Sequence, residues 1–161
     1  MEKIYYQNDF PELPGVYNNG CLYKSLLNII SEEFKYTYSK KEIREIYKKC
    51  NDLGYLGTSE GKNNNGAFVW DHVGVLNTAS FHIGYRVKWQ YVARVYTQLM
   101  ESKGYTSFVN DPNYQNDNNI YMIFQVRTTA VPGHFKRFNY DPWKMGSKEI
   151  CLKSTRYYKR L

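Results

Sequence analysis

The stretch that decides the fold is Asn18-Asn19-Gly20-Cys21-Leu22-Tyr23-Lys24-Ser25-Leu26-Leu27-Asn28-Ile29-Ile30. The Asn-Asn-Gly run predicts a turn, and the apolar residues after the cysteine recur at helical spacing, which predicts a helix ending near Glu33 or Phe34. Cys21 then stands at a helix N-terminus, where unpaired N–H groups and the helix dipole favour a negative charge. Because the thiolate is the nucleophilic form of cysteine, Cys21 is a candidate nucleophile. Taken alone, it is better explained as a small buried apolar residue.

The length of 161 residues is usual for one domain, and we predict a single domain over 1–161 with its own hydrophobic core. The three cysteines, Cys21, Cys50 and Cys151, include no CxxC pair, which argues against a disulfide framework and a cysteine-rich metal site. The first residues lack the apolar segment of a signal peptide, and no run approaches the roughly 18 apolar residues of a membrane span. The sequence therefore predicts a soluble, cytoplasmic protein with reduced thiols and no membrane insertion.

The formal net charge of +7 favours anionic partners such as nucleic acid or a membrane surface. The charges are spread along the chain, with no arginine-rich run and no zinc-finger spacing, so we favour a mildly basic, solvated surface. Residues 85–91, together with Arg86, Lys88 and Arg94, could stack on single-stranded nucleic acid. Ordinary strand alternation explains them as well, so a nucleic-acid partner is possible but not favoured.

Helices are predicted mainly in the first half of the chain. Residues 1–20 are expected to be mostly irregular because prolines and a glycine interrupt them. Ser39 and Glu42 form a capping box that opens a second helix. Residues 54–66 are rich in glycine and asparagine and predict a loop, and residues 67–76 predict a third helix. The residues expected to face inward from that third helix are Phe68, Val69, His72, Val73 and Leu76.

Strands are predicted mainly in the second half of the chain. In chain order the sequence predicts a strand over 81–90, a helix over 92–103 with Gly104 as its C-cap, a strand over 105–109, a polar loop over 110–119, a strand over 120–128, a turn over 129–133, and strands near 134–139, 148–153 and 155–159. Helices followed by strands are typical of the α+β class. We therefore predict a helical layer from the N-terminal half packed on an antiparallel sheet from the C-terminal half.

A second group of residues lies far downstream, in Gly133-His134-Phe135 and Asp141-Pro142-Trp143, while Gln7 lies 14 residues before Cys21. The order Gln, Cys, His, Asp resembles the papain-like cysteine peptidases. It is most similar to free-standing relatives of the bacterial double-glycine-leader (bacteriocin-processing) peptidases. In that group the nucleophile follows a Gly-containing turn and opens a helix, often with a serine four residues on, which Ser25 matches here.

The resemblance implies a papain-like fold and a cysteine peptidase or amide hydrolase that acts on a peptide or protein, without a metal or an organic cofactor. Cys21 would attack an amide carbonyl and form a thioester acyl-enzyme. His134 would take the thiol proton and later protonate the leaving amine. Asp141 would orient His134, and Gln7 would donate a hydrogen bond to the oxyanion together with the backbone N–H of Cys21.

The sequence departs from the group in two places. A Leu-Tyr pair follows the cysteine where the group usually has Gly and then Pro or a small residue, and the bulky Tyr23 would narrow the cleft. Only seven residues separate His134 from Asp141, which requires a tight hairpin turning around residues 138–140. Asn139 is the alternative orienting residue.

Other interpretations fit the same residues. The chain could be a catalytically degenerate papain-like module that binds a partner, of an interaction or anti-defence type, or, less well supported, a basic nucleic-acid-binding domain. Asp71, His72 and His82 could form a metal site, but they lack a recognised ligand spacing, so core or surface histidines are favoured. Cys50 lies on the apolar stripe of the second helix and is interpreted as a core residue.

Overall fold

The computed structural model describes residues 4–96, 120–143 and 148–161. In chain order the described elements are a 3-10 turn at Gln7–Asp9, helices α1 (Pro14–Asn19), α2 (Cys21–Phe34) and α3 (Lys40–Asp52), strands β1 (Leu56–Thr58), β2 (Gly61–Lys62) and β3 (Phe68–Val69), helix α4 (His72–His82), and strands β4 (Trp89–Tyr96), β5 (Ile120–Thr128), β6 (His134–Lys136) and β7 (Glu149–Arg160). The described chain is therefore α+β, as predicted.

Helix α2 begins and ends where the apolar spacing predicts. Leu26, Ile29 and Ile30 are fully buried, and the helix packs on α4, β5 and β6. A helix that is apolar on most of its surface belongs in the core, because each buried aliphatic side chain contributes about 1.5–3 kcal/mol. Lys35 ends the helix in the left-handed conformation with φ of 52°, and its N–H donates to the carbonyl of Ser31.

Helix α3 confirms the predicted capping box. The N–H of Glu42 donates to Oγ of Ser39 at 3.1 Å, and the Glu42 carboxylate accepts from the N–H of Ser39 at 3.0 Å. Cys50 on the inner face of this helix is fully buried, and burial raises the pKa of its thiol to about 12. Cys50 is therefore a core residue, as predicted, and a poor nucleophile.

The larger of the two described sheets packs against helices α2 and α4. Its four strands are antiparallel in the order β4-β7-β5-β6, so the strand latest in the sequence is an inner strand. A smaller antiparallel sheet has the order β2-β1-β3. Ile123, Trp89 and Tyr158 of the larger sheet join the helices in one hydrophobic core, which is the packing expected for a helical layer on an antiparallel sheet.

The prediction that residues 1–20 are irregular is wrong for α1. Pro14 stands at the first helical position, where its missing N–H costs nothing. The Asn18-Asn19 pair ends α1 and does not form the predicted turn. Gly20 joins α1 directly to α2. A Cβ at Gly20 would clash with the carbonyl oxygen of Val16, so this junction requires glycine.

The predicted loop over 54–66 contains β1 and β2, and the predicted third helix over 67–76 starts later than expected. Residues 68–69 pair with β1, which leaves Phe68 exposed and not facing inward. Asp71 is the N-cap of α4, and its carboxylate accepts from the N–H of Gly74 at 2.8 Å. Because α4 then continues to His82, the strand predicted from residue 81 begins only at Trp89.

Residues 92–96 belong to β4 and not to the predicted helix over 92–103. Their apolar spacing fits both periods, and pairing with β7 decides between them. The remainder of that helix, its C-cap at Gly104, the strand over 105–109 and the loop over 110–119 lie outside the described residues.

The strand over 120–128 and the turn over 129–133 are confirmed. The two predicted strands near 148–153 and 155–159 form one strand, β7, because pairing with β5 continues across their junction with a register shift. Strand β6 is shorter than predicted, since a turn follows Lys136 and Arg137. Within the described ranges, no helix has the length and apolar character needed to cross a bilayer.

Candidate active site

Cys21 is the first residue of α2, with Gly20 as its N-cap. The first N–H groups of a helix have no partner within the helix, and the dipole there favours a negative charge on the sulfur. Cys21 is partly exposed and lines a cleft of about 1070 Å³. The candidate nucleophile is therefore accessible from the cleft, whereas Cys50 is not.

His134 opens β6 on the opposite wall of this cleft and is 3% exposed. Its Nε2 lies 2.7 Å from Oδ1 of Asp141, and the interaction with Cys21 helps to raise the pKa of the ring. Because Asp141 occupies Nε2, Nδ1 is the ring nitrogen left for another partner. The structure thus brings Cys21, His134 and Asp141 together.

A tight hairpin makes the short interval between the histidine and the aspartate possible. Arg137 and Tyr140 pair through both backbone bonds, at 2.8 and 3.3 Å. The turn between them leaves Asn139 exposed at its tip, while Asp141 lies opposite His134. Asp141, and not Asn139, therefore contacts the imidazole.

Burial and charge have opposite effects on the pKa values of His134 and Asp141. Burial lowers the pKa of His134, but the hydrogen bonds to Asp141 and Cys21 and their charges outweigh it and raise the pKa to about 9. Burial raises the pKa of Asp141, and its hydrogen bonds from His134 and from the N–H of Trp143 outweigh this and lower it. The Trp143 ring stands edge-on to His134, with ring centres 5.8 Å apart. At neutral pH the geometry favours an imidazolium against a carboxylate.

Gln7 lines the same cleft from the 3-10 turn and is 4% exposed. Its Nε2 donates to the carbonyl of Tyr17 at 3.1 Å, and its backbone N–H donates to the carbonyl of Pro142 at 3.0 Å. A side-chain NH₂ group carries two hydrogens, so Nε2 keeps a second donor. The buried Oε1 has no hydrogen-bond partner among the described residues. All four site residues predicted from the sequence therefore line one cleft or contact a residue that does.

The expectation that Tyr23 narrows the cleft is wrong. Tyr23 is fully buried and points into the core, where its hydroxyl donates to the carbonyl of Ile43 at 2.7 Å. Ser25, one turn after the cysteine, is also buried, and its Oγ lies 3.5 Å from the carbonyl oxygen of Phe135. This contact links the helix that carries Cys21 to the strand that carries His134.

His72, Tyr91, Arg94 and Arg156 also line the cleft. Sequence reasoning assigned the first three to other interpretations and missed Arg156 as a cleft residue. His72 accepts or donates through Nδ1 to the hydroxyl of Tyr158 at 2.8 Å. The available signal was the alternation of β7, which puts Arg156 and Tyr158 on one face, but nothing local shows that this face lines a cleft.

The metal interpretation of Asp71, His72 and His82 finds no support in the described part of the chain. Within residues 4–96, 120–143 and 148–161, no three His, Cys, Asp or Glu side chains are grouped to hold a metal ion. Asp71 caps α4, and His82 lies on the surface with its Nε2 3.2 Å from the carboxylate of Glu42.

Comparisons with protein-family models, curated proteins and solved structures found no match to this chain.

Proposed function

We propose that this protein is a papain-like cysteine peptidase or amide hydrolase with the triad Cys21, His134 and Asp141. The observation that carries the proposal is the 2.7 Å contact by which Asp141 holds Nε2 of His134 in the cleft that Cys21 also lines, which leaves Nδ1 for the thiol. A nucleophile, a base and a group that orients the base are the three parts that acyl transfer requires.

The architecture supports the same proposal. In a papain-like enzyme the nucleophile opens a helix and the base lies on a facing sheet. Here α2 carries Cys21 and packs on β6, which carries His134. The contact between Ser25 and the carbonyl of Phe135 fixes the helix to the strand directly beside these two residues.

The first half-reaction follows from the positions of the groups. The thiolate of Cys21 attacks the carbonyl carbon of a bound amide, and the carbonyl electrons move to the oxygen. The second hydrogen on Nε2 of Gln7 and the backbone N–H of Cys21 stabilise this oxyanion, and one such donor is worth about 10²–10³ in rate. His134 then gives its proton to the departing amine, which leaves a thioester on Cys21.

The second half-reaction reverses the proton transfer. Neutral His134 takes a proton from water, which attacks the thioester, and the acid product leaves with Cys21 restored as thiolate. Asp141 keeps Nδ1 directed at the sulfur throughout, and the ring of Trp143 covers one side of His134. The cleft of about 1070 Å³ accommodates several residues of a peptide, which favours a peptide or protein substrate.

Iodoacetamide labelling at pH 6 to 7, mapped by mass spectrometry, tests the proposal. Cys21 is expected to react much faster than Cys151, which is also partly exposed and serves as the control thiol in the same chain. His134→Ala is expected to slow Cys21 by about 10²-fold or more and to leave Cys151 unchanged.

If Cys21 reacts no faster than Cys151, or is indifferent to His134→Ala, the enzyme proposal fails. A catalytically degenerate binding module then becomes the better interpretation.

A further inference from the structure

Two arginines of the larger sheet line the cleft that Cys21 and His134 also line. Arg94 on β4 pairs in register with Arg156 on β7. The Arg156 guanidinium lies 4.5 Å from the centre of the Phe135 ring, and its Nη1 is 3.3 Å from Oε1 of Gln125. Phe135 belongs to β6, the strand that carries the proposed catalytic histidine.

Arg156 is buried without a carboxylate partner among the described residues. It is 6% exposed, and its hydrogen bonds go to neutral oxygens of Gln125, Ser154 and Tyr91. Burial and the charge of Arg94 both lower the pKa of Arg156. A buried charge that neutral groups alone solvate costs stability, so stabilisation of the fold does not account for Arg156.

Arg137, in the turn after β6, shows how this chain treats a buried arginine with a structural role. Arg137 is 2% exposed, and its guanidinium forms an ion pair with Glu32 of α2. It also donates to Oδ1 of Asn28 at 3.0 Å and to the carbonyl of Met122 at 3.2 Å. The fold therefore supplies a carboxylate to Arg137 and, within the described residues, supplies none to Arg156.

The described residues that line the cleft include positive but no negative side chains. No aspartate or glutamate is among the described residues that line it, whereas Arg94 and Arg156 both do. Burial and these two arginines lower the pKa of His72 to about 4. The His72 ring is therefore neutral at pH 7 and adds no positive charge to the cleft. We call the part of the cleft lined by Arg94 and Arg156 the arginine end, and it is Arg156, buried among neutral partners, that suits an anion supplied by the ligand.

We propose that the arginine end binds a carboxylate of the peptide substrate, supplied by an Asp or Glu side chain or by a free C-terminus. A planar guanidinium matches a carboxylate through two parallel hydrogen bonds, and the ring of Phe135 holds the Arg156 plane in place. The inference rests on the proposed function for the location of the reacting bond beside Cys21. It makes this protein selective for acidic peptides.

Protection of Cys21 from iodoacetamide tests this without requiring turnover. The probes are the capped tripeptide Ac-Ala-Glu-Ala-amide, its Gln counterpart, and Ac-Ala-Gln-Ala with a free C-terminal carboxylate. At pH 8.5, where an ordinary thiol also reacts, the Glu peptide is expected to protect Cys21 at about tenfold lower concentration than the capped Gln peptide. Protection by the free acid and not by the Glu peptide would assign the carboxylate to the C-terminus.

Two variants locate the effect. Arg156→Gln is expected to abolish the tenfold advantage, and Arg156→Lys to keep part of it, because the lysine keeps the charge and loses the paired geometry. Circular dichroism of each variant checks folding, and alkylation of Cys151 should be unchanged by every peptide.

Equal protection by acidic and neutral peptides, or an advantage that survives Arg156→Gln, would overturn the inference. Protection by oligothymidylate in place of the peptides would overturn it in favour of a nucleic-acid phosphate. An unactivated thiol also reacts at pH 8.5. Protection of Cys21 by the peptides can therefore be measured even if the peptidase proposal fails.

Discussion

His134 and His72 line the same cleft, but their surroundings move their pKa values in opposite directions. Both rings lose hydration on burial, which lowers the pKa of each. At His134 the hydrogen bonds and charges of Asp141 and Cys21 reverse the effect and raise the pKa to about 9. At His72 the positive charges of Arg156 and Arg94 add to it, and the pKa falls to about 4.

Burial lowers the pKa of both rings, so the charged neighbours account for the difference between them. One carboxylate, on Asp141, keeps His134 protonated beside the thiol. Burial, with the charges of Arg156 and Arg94, keeps His72 neutral. The cleft therefore contains a histidine–carboxylate pair and two fixed positive charges.

Removing the carboxylate of Asp141 should have the largest effect on the difference between the two histidines. In Asp141→Asn the pKa of His134 is expected to fall from about 9, because burial then acts against Cys21 alone. Alkylation of Cys21 at pH 7 should slow by about 10²-fold, since the imidazole no longer holds the proton of the thiol. Histidine NMR titration and iodoacetamide labelling measure both effects.

The matched control for that variant is Asp71→Asn, beside His72. Asparagine also caps helices well, so α4 should persist and the labelling rate of Cys21 should not change. An Asp141→Asn protein that labels as fast as the wild type would show that the carboxylate is not needed.

The raised pKa of His134 predicts a loss of stability in alkali. A group whose folded pKa lies above its unfolded value of about 6.5 stabilises the fold fully below that pH, and the contribution disappears as pH rises through about 9. The free energy of unfolding should therefore fall by about 2–3 kcal/mol between pH 6.5 and 9. Urea unfolding at several pH values measures this, and His134→Gln should remove the slope.

The lowered pKa of His72 predicts a smaller loss of stability, in acid instead of alkali. Its contribution is present above pH 6.5 and is lost as pH falls through about 4, because the unfolded ring then binds a proton that the folded ring resists. The half-buried position reduces the expected loss to about 1–2 kcal/mol. Urea unfolding of His72→Gln should show a flatter acid limb than the wild type. An unchanged limb would exclude His72 as its source.

The smallest expected effect concerns the coupling between the two sets of charges. Arg156→Gln should raise the pKa of His72 toward its ordinary value, because one of the two positive neighbours is gone. It should leave the pKa of His134 in place. NMR titration of the two rings in one sample separates these outcomes, and equal movement of both rings would indicate a general change of structure.

Local signals in the sequence were sufficient for the elements that local forces define. The capping box of Ser39 and Glu42 and the apolar spacing of α2 and β5 predicted those elements correctly. The residues of β4 fit both a helix and a strand, and only pairing with β7, more than 50 residues later, selects the strand. Tertiary pairing of this kind cannot be read from a local window.

The same limit applies to the site. Short motifs were enough to predict Gln7, Cys21, His134 and Asp141 as a candidate site, and the structure brings the four close together. They could not choose between Asp141 and Asn139, since both lie within reach of the histidine along the chain. The hairpin decides, because its turn carries Asn139 outward. Arg156 was not found at all, because its significance lies in the carboxylate that it lacks among the described residues, a property of the folded arrangement.

The inner position of β7 has a consequence for the order in which the molecule is assembled. Strands β4 and β5 are joined through β7, which is synthesised after both, so the larger sheet cannot close on an incomplete chain. The contact between Gln7 and Pro142 likewise waits for residues far apart in the sequence. Contacts of such high sequence separation form late and slowly. The cleft that Cys21 and His134 line is therefore completed only after β7, which supplies Arg156 to its wall, has been synthesised.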